Sequence, residues 1–294
     1  LDVLRCVHHF LPWFPSFVTE NYPAAKRTVA VGLSGLVGLI LLAGYINSLL
    51  PAVRTLNISI NKKAGDLKTL DIVMASDIHL GTIVGRSRLS GIVDRINSLN
   101  PDVVLLPGDI VDEDISNPKK SSLGEPLKNI RSRYGVFAAT GNHEYIAGIL
   151  DAIAFLEAQN IKLLQDQTVK VSDSFYLIGR KDSSATRFGG TGRKEVDELM
   201  RSIDTTYPVI LMDHQPFRLA EAAEAGVDLQ ISGHTHNGQL WPINYIVGSI
   251  FELAWGYKKI GDTHFYVSDG VGTWGPPVRI GNRPEIVQIH LQFK

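Results

Sequence analysis

LDIVMASDIHL, residues 70 to 80, passes without a break from an apolar run into Asp77-Ile78-His79. A short apolar run of this kind suits a strand buried on both faces. Its polar end carries a carboxylate and an imidazole two residues apart, a spacing that in extended backbone points both side chains the same way. Strand followed at once by chemistry is the reading to test on the rest of the chain.

The pattern recurs. Val103 to Leu106 leads into Gly108-Asp109-Ile110-Val111-Asp112, Val136 to Ala139 into Gly141-Asn142-His143-Glu144, Val209 to Met212 into Asp213-His214, and Leu229 to Ile231 into Gly233-His234-Thr235-His236. Helical stretches fall between them at Arg86 to Ser98 and Ile146 to Gln159, the second with Ile149, Ile153 and Leu156 at helical spacing. Further strands are expected at Thr168 to Val171, Phe175 to Gly179, Thr263 to Val267 and Glu285 to Gln292, and a surface loop at Asp112 to Glu125. Alternation of this sort predicts an α/β domain from about Thr55 onward. In such sheets the C-terminal strand ends lie along one edge, where ligands bind.

The residue types at that edge narrow the chemistry. Asp77, His79, Asp109, Asn142, His214, His234 and His236 offer more donors than one ion needs. Oxygen and nitrogen donors without cysteine point to Mn, Fe or Zn in a reactive site rather than to a structural zinc. Two such ions about 3.5 to 4 Å apart can clamp a phosphoryl group and activate water for in-line attack. Any one pair read alone is a turn or a helix cap; the ordered series at successive strand ends is not.

In that order the motifs resemble those of the calcineurin-like metallophosphoesterase superfamily, D-x-H, G-D-x-x-D, G-N-H-[DE], a lone His and G-H-x-H, over residues 70 to 294. The resemblance implies a four-layer α-β-β-α sandwich with two mixed sheets and a dimetal phosphoric ester hydrolase. It implies that Asp77, His79 and His236 hold one metal, Asn142, His214 and His234 the other, and that Asp109 bridges them. His143 would protonate the leaving oxygen or stabilise the transition state, with Asp112 as the carboxylate that orients it and keeps it protonated; Glu144 would support the site from behind. The bacterial membrane-anchored branch is similar in its G-H-T-H-x-G-Q run and in Gly272 to Pro277, although Asn237 stands where many of its members have glycine.

A membrane segment is expected ahead of the domain. Val29 to Leu50 contains no charged residue, follows Lys26 and Arg27 and is closed by Pro51. It is long enough for a hydrocarbon core of about 30 Å. The expected division is therefore a membrane segment over 1–54, with its helix at about 29–50, and a catalytic domain over 55–294. The polar and aromatic residues 1–23 ahead of the span argue against a cleaved signal peptide, and a first residue of leucine predicts that the natural chain starts upstream. Lys26 and Arg27 place the domain on the extracytoplasmic side by the positive-inside rule, with Arg54, Lys62 and Lys63 arguing the other way. One cysteine, Cys6, allows no intrachain disulfide, and a net charge of -1 gives no electrostatic reason to expect nucleic acid.

The substrate signals are weaker. Arg180, Lys181 and Arg187 in a glycine-containing loop read either as a solvated basic loop or as candidates for neutralising a second phosphate, and Trp274 either as part of a structural loop capping the sheet or as part of the substrate rim. Leu240 to Trp255 reads either as a core helix or as an interfacial element holding the site against a bilayer. The expected function is hydrolysis of a phosphodiester or pyrophosphate, lipid-linked or from the cell envelope, such as a UDP-acylated sugar or a polyol phosphate polymer. The alternatives are a phosphomonoesterase or protein phosphatase, and a non-catalytic metal-binding module on the same fold.

Overall fold

A computed structural model describes residues 2–11, 13, 15–113 and 122–294, and the chain divides into two compact units, 1–46 and 47–294. The first holds α1 (Asp2–Phe10), α2 (Ser16–Glu20) and most of α3 (Tyr22–Ser48). Helix α3 has 27 residues, a mean hydropathy of 2.2 in its most apolar window and almost no buried surface there. At about 1.5 Å per residue it reaches roughly 40 Å, so length and composition suffice to cross a membrane. It starts ahead of the uncharged run, taking Lys26 and Arg27 into its first turns, and stops at Ser48, three residues before Pro51.

The second unit is built on two six-stranded sheets. The first contains β1 (Ala52–Ile60), β2 (Thr69–Met74), β3 (Val103–Pro107), β4 (Val136–Ala139) and β5 (Ile161–Leu164). The second contains β6 (Gln167–Val171), β7 (Phe175–Gly179), β8 (Val209–Met212), β9 (Leu229–Ser232), β10 (Gly256–Ile260) and β11 (Thr263–Val267). The last strand, β12 (Glu285–Phe293), returns to the first sheet, giving the orders β1-β12-β2-β3-β4-β5 and β10-β11-β9-β8-β7-β6. Strands β2 to β5 run parallel, as do β7, β8, β9 and β11; antiparallel pairs join β12 to β2, β6 to β7 and β10 to β11.

Both sheets are mixed, and alternation along their strands makes the layers. Leu70, Ile72 and Met74 of β2 pack with Leu177, Met212 and Ile231 of the other sheet, forming the core between them. Val73 and Ala75 face the opposite way, onto Leu89, Ile92 and Ile96 of α4 (Arg86–Ser98) and Phe155 of a later helix. On the far side Val209, Leu211 and Phe265 pack on Leu199 and Leu219. The result is the expected α-β-β-α sandwich.

The single helix expected over residues 146–159 is two, α5 (Asn142–Ala147) and α6 (Ile149–Ala158), broken by Gly148 at φ 106°, a backbone conformation no helix accepts. Helices α7 (Val196–Met200), α8 (Leu219–Glu224) and α9 (Ile243–Ile250) complete the unit. Of the loop expected at Asp112 to Glu125, residues 114–121 lie outside the described residues. Ser122–Asn129 forms a 3-10 helix that buries Leu127 in the core.

Candidate metal centre

Parallel register brings the strand ends to one edge: Met74 of β2 pairs with Leu105 of β3, Leu105 with Phe137 of β4, and Met212 of β8 with Ile231 of β9. The side chains that follow do not leave in extended backbone, contrary to the sequence expectation for Asp77/His79 and His234/His236. Asp77, His79, Asp109, His234 and His236 have φ of 55°, 52°, 52°, 73° and 47°, all left-handed. Aspartate, asparagine and histidine are the non-glycine residues that enter this region most readily. Each such residue stores of order 1–3 kcal/mol of strain, retained where surrounding structure dictates it. The donors thus sit on left-handed turns just past the strand ends.

Ligating atoms converge in groups. Asp77, His79 and His236 lie within 4.8 Å of one another, as do Asp109, His214 and His234. His79 Nε2 and His236 Nε2 are 3.0 Å apart, close to the separation of roughly 3.0–3.4 Å that two imidazoles sharing one ion require. His214 Nε2 is 3.1 Å from Asp109 Oδ2, and His79 Nε2 is 3.8 Å from the same oxygen, so Asp109 lies between the groups. Thus His234 and His236, two apart in sequence, fall in different groups.

Hydrogen bonds on the far side of the rings set the tautomers. His214 Nδ1 donates to the carbonyl of Pro107 at 2.8 Å, and His79 Nδ1 to Asp112 Oδ1 at 2.9 Å, leaving both Nε2 lone pairs free to ligate. Among the described residues, Asp77 Oδ2, Asn142 Oδ1 and His214 Nε2 are buried without a hydrogen-bond partner. Orphaned acceptors in so dry a place are costly unless a cation takes them, and the donor set fits two divalent ions. Burial opposes charge on Asp109 and on His214. The opposite charge of each outweighs burial, holding Asp109 below the usual carboxylate range and His214 well above the usual imidazole range. The centre is electrostatically prepared to hold buried positive charge.

Glu144 ties the loops together more firmly than its place in the motif foretold. Fully buried, it accepts the backbone N–H of Asp109 and Gly141 on Oε2 and of Ile110 and Val111 on Oε1, at 2.6 to 3.1 Å. The loop after β3 and the start of α5 therefore share one carboxylate. Two motif glycines are required by close approach: a Cβ on Gly141 would meet Asp109 Oδ1 at 2.1 Å, and one on Gly233 would meet Asp77 Oδ2 at 2.2 Å.

His143 stands at the edge of the centre, half-buried, its Nδ1 2.9 Å from the same Asp112 Oδ1 that takes His79. Burial lowers its pKa, but Asp112 and the charge of Asp109 raise it further, leaving it above the ordinary imidazole value. Asp112 is held correspondingly low by the two imidazoles, against the cost of its burial. A protonated His143 beside the ligands can give a proton to a leaving oxygen.

Above the centre opens a cavity of about 490 Å³. His79, Asp109, Asn142, His143, His234 and His236 form its polar floor, and Leu240, Ile243, Val247, Phe251, Trp274 and Pro276 its apolar wall. Trp274 lines the cavity and is 53% exposed. Neither Arg180 nor Arg187 lines the cavity. Arg180 is buried and its guanidinium is engaged by Asp213 at 3.0 Å, Glu195 at 3.2 Å and the Lys194 carbonyl at 2.8 Å, a structural ion pair rather than a phosphate contact. Arg187 is exposed in a 3-10 turn over Ser183–Phe188, and Lys181 donates to Thr191. Sequence reasoning took in Gln239 only as the end of the G-H-T-H-x-G-Q run and gave it no role; its amide bonds the backbone of Trp274 and Pro276 and fixes the rim. Nor did sequence reasoning single out Arg279, buried against His236 Nδ1 at 3.2 Å and the carbonyls of Gly270 and Gly272. Gln239 stands three residues from His236, a signal that was available; Arg279 is linked to it only by the fold.

A double-sheet sandwich with aspartate and histidine groups gathered at one sheet edge is an α/β domain with a candidate metal centre. Residues 70–238 match the calcineurin-like phosphoesterase family, and the chain belongs to it. Over 256 residues it is 34% identical to a bovine (Bos taurus) protein described as a transmembrane protein with metallophosphoesterase domain, covering 82% of this chain and 57% of that one. It is 34% identical over 226 residues to an uncharacterized metallophosphoesterase of Helicobacter pylori, covering 76% and 60%. A further uncharacterized metallophosphoesterase, from Aquifex aeolicus, is 33% identical over 227 residues, covering 76% and 86%. The chain thus spans under two thirds of the length of the first two relatives, which come from an animal and a bacterium.

Proposed function

We propose that this protein is a membrane-associated dimetal phosphoesterase that hydrolyses a phosphodiester or pyrophosphate carried on a lipid. The observation that carries the reading is the junction in one cavity of a polar, cation-ready floor with an apolar wall. An ester with a charged phosphoryl group and a hydrocarbon part matches both. The bovine relative's description as a transmembrane protein and the length of α3 support attachment to a membrane, and Lys26 and Arg27 favour the extracytoplasmic side for residues 47–294.

Asp77, His79 and His236 would hold one ion and Asn142, His214 and His234 the other, with Asp109 between them. Manganese, iron or zinc suits this donor set. Bound there, the pair supplies charge to the phosphoryl oxygens and activates water for in-line attack. The chain's own residues do the rest. Asp112 Oδ1 stands 2.9 Å from His143 Nδ1, and His143, on the cavity floor, delivers the proton to the leaving oxygen, a contribution of about 10²–10⁴. The wall of Leu240, Ile243, Val247 and Phe251 keeps bulk water from the floor and takes the apolar part of the substrate. None of the donors is missing, which disfavours a non-catalytic module.

The test is hydrolysis of bis(p-nitrophenyl) phosphate and p-nitrophenyl phosphate by detergent-solubilised protein loaded with each metal in turn. The diester should be turned over in preference to the monoester, and chelator should abolish turnover. Exclusive monoester cleavage would replace this reading with a phosphomonoesterase.

A further inference from the structure

Helix α9 is apolar on two faces and buries none of its residues. Ile243, Val247 and Phe251, four apart, line the cavity over the metal centre. Ile246 and Ile250, also four apart, lie outside the cavity with Trp241 and Tyr245, at 61%, 60%, 58% and 69% exposure. One apolar face is explained by the cavity; the other has no partner among the described residues, and a patch of this kind beside a site marks an interaction surface.

The chain's own connectivity says what covers it. The loop over residues 277–283 is bonded on one side to the root of α9, where Trp241 N–H donates to the Ile280 carbonyl at 2.7 Å and Ile280 N–H to the Gln239 carbonyl at 3.1 Å. On its other side it receives Asn47 Nδ2, which donates to the carbonyls of Arg279 and Asn282 at 3.0 and 2.7 Å, and Ser48 Oγ, which donates to Pro277 at 3.0 Å. Arg283 Nε closes the same join by donating to the Leu50 carbonyl at 2.8 Å. Residues 47–50 are where the chain leaves the membrane-length helix, so the headgroup layer at that exit lies one loop away from Trp241. Tryptophan and tyrosine beside large aliphatic residues are the composition that rests at a membrane interface.

We infer that α9 is seated in the headgroup layer of the bilayer. Trp241, Tyr245, Ile246 and Ile250 lie among the lipid, and Ile243, Val247 and Phe251 wall a path for the hydrocarbon part of a substrate from lipid to metal centre. The seating stands on the geometry alone, whereas the path rests on the proposed phosphoesterase reading. A lipid-anchored phosphoryl group then reaches the floor of the cavity without its chains crossing water.

Two experiments on the full chain separate these. In a Cys6→Ser background, a fluorophore at Ile246→Cys in phosphatidylcholine vesicles should be quenched by doxyl-labelled lipid and shielded from iodide. One at Glu157→Cys, exposed on α6, should show the reverse. Iodide quenching at position 246 without lipid quenching overturns the seating. So does protection from both quenchers accompanied by disulfide cross-linking between copies, which would make this face a homodimer contact. Neither readout requires turnover, so a failed phosphoesterase reading leaves the seating testable. For the path, the Ile246→Asp, Ile250→Asp double variant should hydrolyse bis(p-nitrophenyl) phosphate in detergent at the wild-type rate. It should lose about tenfold, equivalent to roughly 1.4 kcal/mol, on hexadecyl p-nitrophenyl phosphate embedded in nanodiscs. Equal losses on both substrates, or none on either, would overturn it.

Discussion

The carboxylate of Glu144 accepts the backbone N–H of Asp109 at 3.0 Å, so the residue between the two ligand groups is positioned by a side chain from α5, the helix that follows a different strand. With Gly141, Ile110 and Val111 bound to the same carboxylate, the turn that gives Asp109 its left-handed φ is held from behind. Glu144→Gln would turn an NH₂ toward backbone N–H groups that need an acceptor. Each buried donor left unsatisfied costs about 1–3 kcal/mol, so the variant should lose roughly 2–5 kcal/mol of stability. Thermal denaturation of the solubilised chain checks this, and an unchanged midpoint would show that the four contacts are not needed to hold the fold.

Ligand and proton-donor roles separate by metal content. Asp109→Asn removes charge from between the two groups and should lower bound metal and activity together. His143→Ala leaves the paired groups intact and should retain both ions while losing about 10²–10⁴ in kcat. Metal analysis by mass spectrometry beside diester turnover distinguishes them. Full metal with full activity in the Asp109→Asn protein would end the assignment of Asp109 as the shared ligand.

The strand ends were legible because each places polar donors straight after a run too apolar to be anything but buried, and order along the chain survives folding. The left-handed turns were not, because Asp77-Ile78-His79 reads equally well as extended backbone until Gly272 and Gly108 are seen bonding it, with Gly272 N–H on the Asp77 carbonyl and Asp77 N–H on Gly108. The basic loop misled for a related reason: charge at Arg180 is visible, but its partner Asp213 lies thirty-three residues on and becomes a neighbour only through the parallel pairing of β7 and β8. For α9 the composition of a core helix and of an interfacial one is the same, and only its exposure shows that it is not a core helix.

A pH prediction comes from two buried carboxylates outside the ligand groups. Burial raises the pKa of Asp269, and neighbouring Glu285 raises it further, while burial likewise raises Glu285. An acid whose folded pKa lies above its unfolded value stabilises the fold at low pH and loses that contribution as pH rises through the folded pKa. Asp269→Asn removes one such group. Its melting temperature relative to wild type should therefore climb as pH increases from about 4 to 8. Melting curves at matched ionic strength test it, and a difference that is flat or falls with pH would refute the coupling.

Arg180 offers the clearest contrast between a substrate role and a structural one. Its guanidinium and the Asp213 carboxylate are 1% and 2% exposed and 3.0 Å apart, and Asp213 immediately precedes His214. Arg193 supplies a second contact to the same carboxylate at 3.0 Å, so Arg180→Ala would leave Asp213 half-neutralised rather than bare. Breaking a buried pair by removing one partner costs about 3–5 kcal/mol, and the remaining Arg193 contact places the expected loss toward the low end of that range. The variant should melt earlier while its KM for the diester stays near wild type at a temperature where it remains folded. A residue that bound the second phosphate would do the opposite, raising KM with little change in melting. The two readouts therefore move in opposite directions for the two roles.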